Sequence, residues 1–114
     1  MHLTRTQILK GKYTYPPDMV KIWGSKHFLE RLDERGVGLE CIPTVVRVTP
    51  DNIHSARLEN DQFVSVVVRL KYTSSKYIFL CFNPIDGNLK TLWFREKGKI
   101  YERGKVTQTD KQTV

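Results

Sequence analysis

Residues 64–71 read VSVVVRLK and residues 77–82 read YIFLCF. In both stretches every second side chain is aliphatic or aromatic and faces the same way, which is typical of strands that bury one face. Short turns separate these stretches from two further strand candidates, residues 53–58 and 89–95. Because short connections join antiparallel neighbours, we expect an antiparallel meander of about four strands.

Residues 25–36 read SKHFLERLDERG and form the clearest helix candidate in the chain. Ser25 is a favourable N-cap, and Gly36 is a favourable residue just beyond the last helical turn. The segment between them holds no β-branched residue. At about 100° per residue, one face of this helix gathers three apolar side chains, which predicts contact with the core. They are Phe28, Leu29 and Leu32.

The remaining segments are less decisive. Residues 18–23 follow two prolines and predict one or two helical turns. Residues 39–48 contain valines that favour a strand and a proline that can begin a short helix, so both alternatives stay open. Residues 104–114 offer no side chains that can bury a face and predict a flexible tail. The sequence therefore predicts a single α+β domain over residues 1–103, with N-terminal helices packed on a roughly four-stranded antiparallel meander sheet.

The chain of 114 residues carries 19 basic and 12 acidic side chains, a formal net charge of +7. Its length suits one domain, and its charge favours an anionic partner, nucleic acid before a membrane surface or an acidic protein. Many basic domains bind no nucleic acid, so charge alone leaves this open. No long apolar run and no signal-peptide core is present, which predicts a cytoplasmic chain without a membrane partner.

The cysteine and histidine pattern predicts neither a metal nor a cofactor. Cys41 and Cys81 are isolated from each other, and the three histidines show no zinc-ligand spacing with them. A cytoplasmic setting favours two reduced thiols, and a disulfide between them is the alternative.

Three side chains of the predicted helix, His27, Arg31 and Arg35, are spaced by four and form a stripe beside its apolar face. Two guanidinium groups can hold a phosphate through paired hydrogen bonds. An imidazole titrates near neutral pH and can move a proton. Lys26 lies on the opposite flank and is a further candidate phosphate contact. The alternative is a solvated helix surface, on which acidic neighbours pair with the arginines.

A second candidate site lies on the predicted strands. Thr91 and Trp93 share one face of the last strand, where a hydroxyl can bind a phosphate oxygen and an indole can stack a base. Arg69 and Lys71 interleave with tyrosines, which predicts a basic rim with aromatic platforms for substrate. The alternatives are that Trp93 belongs to the core and that the lysines only block strand addition at an edge.

The helix with Ser25, Lys26-His27, Arg31 and Arg35-Gly36 resembles the opening helix of small bacterial and phage domains in the barnase–EndoU–colicin–RelE-like nuclease superfamily. The pair Thr91-x-Trp93 looks like the hydroxyl-x-Trp pair of the colicin D type of transfer-RNA-cleaving toxin. That type also has a Lys-His pair, which Lys26-His27 matches. The resemblance implies that Trp93 would shape the pocket of this chain. The resemblance covers about residues 25–103.

The resemblance implies a metal-independent endoribonuclease, toxin-like or phage-encoded, that cleaves tRNA or mRNA. Attack by the ribose 2′-hydroxyl would leave a 2′,3′-cyclic phosphate and a 5′-hydroxyl. His27 would serve as general base or acid, Arg31 and Arg35 would stabilise the transition state, and Thr91 would bind the phosphate. His54 is the candidate for a second acid–base group. The alternative is a non-catalytic module that binds nucleic acid or a host protein. A toxin would add a cognate inhibitor protein as partner.

Overall fold

The computed structural model describes residues 1–11 and 19–97, and its main element is a five-stranded antiparallel sheet. In chain order its strands are β1 (His2–Thr4), β4 (Ile53–Glu59), β5 (Gln62–Lys71), β6 (Lys76–Phe82) and β7 (Leu89–Glu96). They stand side by side in that same order. The two strands numbered between β1 and β4, β2 (Met19–Lys21) and β3 (Val45–Arg47), pair antiparallel in a small sheet of their own.

The described chain also contains two α-helices and one 3-10 helix. α1 (Arg5–Lys10) follows β1, α2 (Lys26–Glu34) follows β2, and the 3-10 helix spans Leu39–Cys41. Of the two alternatives that the sequence left open for residues 39–48, the strand is confirmed as β3, whereas no helix begins at Pro43 and the 3-10 turn ends before it. The predicted tail, residues 104–114, lies outside the described residues.

The predicted architecture of N-terminal helices on a four-stranded meander is wrong. The large sheet has a fifth strand, because β1 pairs with β4 and places Leu3 opposite Ala56. The helix predicted over residues 18–23 is also wrong where the structure describes it, because Val20 pairs with Val46 across the small sheet. More of the described residues therefore lie in strands than in helices, and the helices alternate with the first strands instead of preceding the sheet.

The helix predicted over residues 25–36 is confirmed. The Ser25 hydroxyl accepts a hydrogen bond from the N–H of Phe28 at 3.1 Å and caps the first turn. Gly36 follows the last turn with a φ of +75°, a conformation that glycine adopts with little strain. Leu32 is 1% exposed, and Phe28 and Leu29 are half-buried. The apolar face of α2 therefore meets the core.

One continuous core holds the fold together on a single face of the large sheet. Alternate residues of β5, β6 and β7 supply most of it. Ile8 from α1, Leu32 from α2 and Val46 from the small sheet belong to the same cluster. Both helices and the small sheet therefore cover this face, and each aliphatic side chain that they seal contributes about 1.5–3 kcal/mol.

We expect Leu32→Ala to lower the free energy of unfolding by about 2–5 kcal/mol, because it opens a cavity where α2 meets the core. Leu39→Ala is the matched control, since Leu39 is 48% exposed and its loss should cost less than about 0.5 kcal/mol. Urea denaturation of both variants measures the difference. Equal losses would contradict the docking of α2 through Leu32.

Candidate functional site

The second face of the large sheet carries the side chains that alternate with the core residues. Cross-strand register places Arg69 beside Phe79 and Phe79 beside Trp93 on this face. Within residues 1–11 and 19–97, the helices and the small sheet pack on the opposite face, so we name this one the open face. The same alternation and the strand pairings assign to it His54, Ser55, Arg57, Ser65, Val67, Arg69, Lys71, Tyr77, Phe79, Cys81, Thr91, Trp93 and Arg95.

Phe79 forms the centre of the open face. It is only 4% exposed, yet it does not belong to the core cluster, so neighbours on its own face bury it. The Trp93 indole stacks on it with ring centroids 5.3 Å apart and planes within 7°. The His54 ring meets it edge-on at 5.2 Å, and the Arg95 guanidinium carbon lies 5.9 Å from its centroid. We name these four residues the Phe79 cluster.

A second aromatic ring on the open face, that of Tyr77, has two cations close to it. The Arg69 guanidinium carbon is 4.7 Å from the centroid of the Tyr77 ring, and the Lys97 ammonium is 4.9 Å from it. Each such contact contributes about 0.5–1 kcal/mol at an exposed site. These contacts orient the tyrosine and hold positive charge beside its ring, so the open face combines flat aromatic surface with basic side chains.

A β-bulge in β4 places His54 in the Phe79 cluster. Ile53 pairs with Val68 and Ser55 with Val67, so His54 is the extra residue between two consecutive pairs. Bulges of this kind redirect a side chain and increase the local twist.

The surroundings of His54 favour its neutral form. Desolvation of the ring lowers the pKa of His54 below the ordinary value of 6.5, and the positive charges of Arg95, Arg69, Arg5 and His2 lower it further. At neutral pH this imidazole is therefore an uncharged base with guanidinium groups close by, an arrangement suited to proton transfer beside an anion.

The stripe predicted on α2 is only partly assembled into a site. Arg31, Arg35 and Thr91 line one groove of about 400 Å³ between α2 and β7, together with Lys90. His27 is exposed and is not among the residues that line this groove. Three of the four residues predicted to be catalytic therefore border one groove, without the histidine, although the strand register turns the Thr91 side chain toward the open face.

The other predicted substrate contacts lie in two separate places. Lys26 lines a shallow depression with Leu29 and Glu30 on the far flank of α2. Arg69, Lys71 and Trp93 lie on the open face. Lys26 therefore lies on α2 and not on the open face.

Two members of the Phe79 cluster, Phe79 and Arg95, were not among the residues predicted from the sequence, although their positions in the strand pattern indicate this face. Phe79 alternates with the core residues of β6, and Arg95 is two residues beyond Trp93. Their placement beside His54 depends on the bulge and on the cross-strand register, which have no local signal in the sequence.

No group of three or more His, Cys, Asp or Glu side chains in the described residues could hold a metal ion. None of the helices in residues 1–11 and 19–97 is long and apolar enough to cross a membrane.

Comparisons with protein-family models, with curated proteins and with solved structures found no match to this chain. The resemblance to the nuclease superfamily therefore stays a prediction from a few residues of α2 and β7.

We expect the free energy of unfolding to decrease as the pH falls from about 7.5 to 5, and His54→Gln to remove part of this decrease. The unfolded chain protonates His54 near pH 6.5, whereas the folded protein resists protonation because its pKa is lower. The stabilisation is thus present above pH 6.5 and lost as the pH falls toward the folded-state pKa. Urea denaturation at several pH values measures it. The same pH dependence in both proteins would contradict the environment described for His54.

Proposed function

We propose that the protein binds single-stranded RNA on the open face, with Trp93 and Tyr77 stacking bases and the arginines contacting phosphates. The observation that carries the proposal is the stacked Phe79–Trp93 pair within a surface of exposed basic side chains. Proteins that bind single strands combine these two features, since every base has a face to stack and every nucleotide a negative charge.

The geometry of the Phe79–Trp93 pair supports stacking by a base. Phe79 covers one face of the indole, which fixes its orientation before any ligand arrives. β7 is the last strand of the large sheet in the described chain, and Trp93 is only half-buried. The outer face of the indole can therefore receive a base at little cost in side-chain entropy.

The charges support an anionic ligand on the same surface. Arg57, Arg69, Lys71 and Arg95 are exposed on the open face. Arg57 forms an ion pair with Glu59 at 3.1 Å, toward the end of β4 that lies away from Trp93. Arg69 and Arg95 contact aromatic rings, so their guanidinium groups lie where a phosphate beside a stacked base would come.

RNA is preferred over DNA in this proposal because of the sequence resemblance of α2 and β7 to RNA-cleaving domains. Transfer RNA and messenger RNA are the first ligands to examine, and a cytoplasmic location would expose the open face to both. Unpaired segments are the expected target, because stacking on a protein ring requires a base that has left its own helix.

Trp93→Ala should weaken binding of a single-stranded RNA about tenfold, because one base loses its stacking partner. Trp23→Ala is a matched control, since Trp23 is 50% exposed and its indole N–H donates to the Asp86 carbonyl, away from the open face. Fluorescence anisotropy of labelled RNA measures both affinities. Equal weakening by the two substitutions, or no binding by the wild type, would sink the proposal.

Cleavage of the bound RNA is a second candidate function, favoured by the lowered pKa of His54 beside Arg69 and Arg95. The neutral imidazole would accept the proton of a ribose 2′-hydroxyl as its oxygen bonds to the adjacent phosphorus. The bond from phosphorus to the 5′-oxygen would break, and that oxygen would take a proton from water. The two guanidinium groups would stabilise the charge that builds on the phosphate oxygens.

Incubation of unstructured RNA in EDTA with wild type, His54→Gln and His27→Gln tests this second function and locates its base. Cleavage that only His54→Gln abolishes is the expected result. Loss in His27→Gln alone would favour the α2 site predicted from the sequence. Binding without cleavage by the wild type would leave the protein as an RNA-binding module.

A further inference from the structure

Beyond Trp93, the edge of β7 borders a groove of about 620 Å³, which we name the edge groove. Its other wall is the segment that follows α2, residues 35–38. Three aromatic and three basic residues line it: Tyr72, Trp93, Phe94, Arg35, Lys76 and Arg95. A groove of this size is within the usual range of about 300–1,000 Å³ for sites that bind a small molecule.

The aromatic side of the edge groove is built from β7 and the turn between β5 and β6. The rings of Tyr72 and Phe94 lie 4.9 Å apart at 54° to each other. The Tyr72 N–H donates to the Lys76 carbonyl at 3.0 Å, which fixes the start of the turn. Tyr72 remains 44% exposed, so its ring offers surface to a ligand.

The opposite wall leaves room beside Gly36, whereas the Glu40 side chain lies against Gly38. Gly36 has a φ of +75°, which disfavours any residue with a side chain, and a Cβ there would meet nothing within 4 Å. The space in front of Gly36 is thus open to a ligand. Arg35 precedes it and also lines the neighbouring groove with Arg31, Lys90 and Glu34, so the β7 edge there carries three cations and one acid.

We propose that the edge groove binds one nucleotide of the RNA strand that crosses the open face, with its base against Tyr72 and its phosphate toward Arg35. The inference rests on the proposed function and adds a defined subsite to it. Trp93 and Arg95 belong to both surfaces, so a strand that stacks on Trp93 reaches the groove without a break. The Glu96 carboxylate also lines the groove, and three cations outweigh its charge.

The test is a ladder of oligoadenylates of increasing length, measured by fluorescence anisotropy with the wild type, Tyr72→Ala and Tyr77→Ala. For the wild type we expect the affinity to rise about tenfold in one step, when the oligonucleotide becomes long enough for one of its nucleotides to enter the edge groove. Tyr72→Ala should remove this step and leave the affinity of shorter oligonucleotides unchanged. Tyr77→Ala should weaken binding at every length, because Tyr77 lies on the open face. Tyr72→Phe, which keeps the aromatic ring, should show the same step as the wild type.

The outcomes separate the subsite from the proposed function. A ladder without a step, or the same step in Tyr72→Ala, would overturn the subsite and leave binding on the open face intact. Absence of binding by the wild type at every length would overturn both.

Discussion

The burial of alternate side chains of β5 and β6 beneath α2 and the small sheet is the constraint on which the rest of the molecule depends. Val66, Val68, Leu80 and Phe82 are sealed from water, and each pairs with another of the four across the strands. A slip of one residue would bring every buried side chain of a strand into solvent, so the core fixes the register. The residues between them, Phe79 among them, must then face the other way.

The character of the open face follows from that register. Phe79 and Trp93 come together because they are cross-strand partners, and their neighbours on the same face are mostly polar or basic. The rings shield one another, and cations cover part of what remains. A surface that combines aromatic rings with cations is suited to a flat, negatively charged partner. The edge groove extends this character past the last strand.

The sequence predicted the parts of the fold that carry strong local signals. The strands β4 to β7 were visible from their period of two, and α2 from its apolar face and from Ser25 and Gly36. The strands β1 and β2 were missed because each has only three residues, which is too short to show an alternating pattern. Both strands form by pairing with partners far along the chain. Of the residues on the open face, Arg69, Lys71, Thr91 and Trp93 were named as candidates from the sequence, whereas the approach of His54 to Phe79 depends on a bulge that leaves no local signature.

Binding of a single-stranded RNA on the open face, and not on the helical side, is measured most directly by titrating ¹⁵N-labelled protein with an unstructured RNA oligonucleotide. The backbone and indole N–H resonances report which residues the RNA reaches. We expect the shifts to concentrate at Arg69, Tyr77, Phe79 and Trp93, with small changes at His27 and Trp23. Shifts centred on α2 with an unaffected Phe79 cluster would contradict binding on the open face.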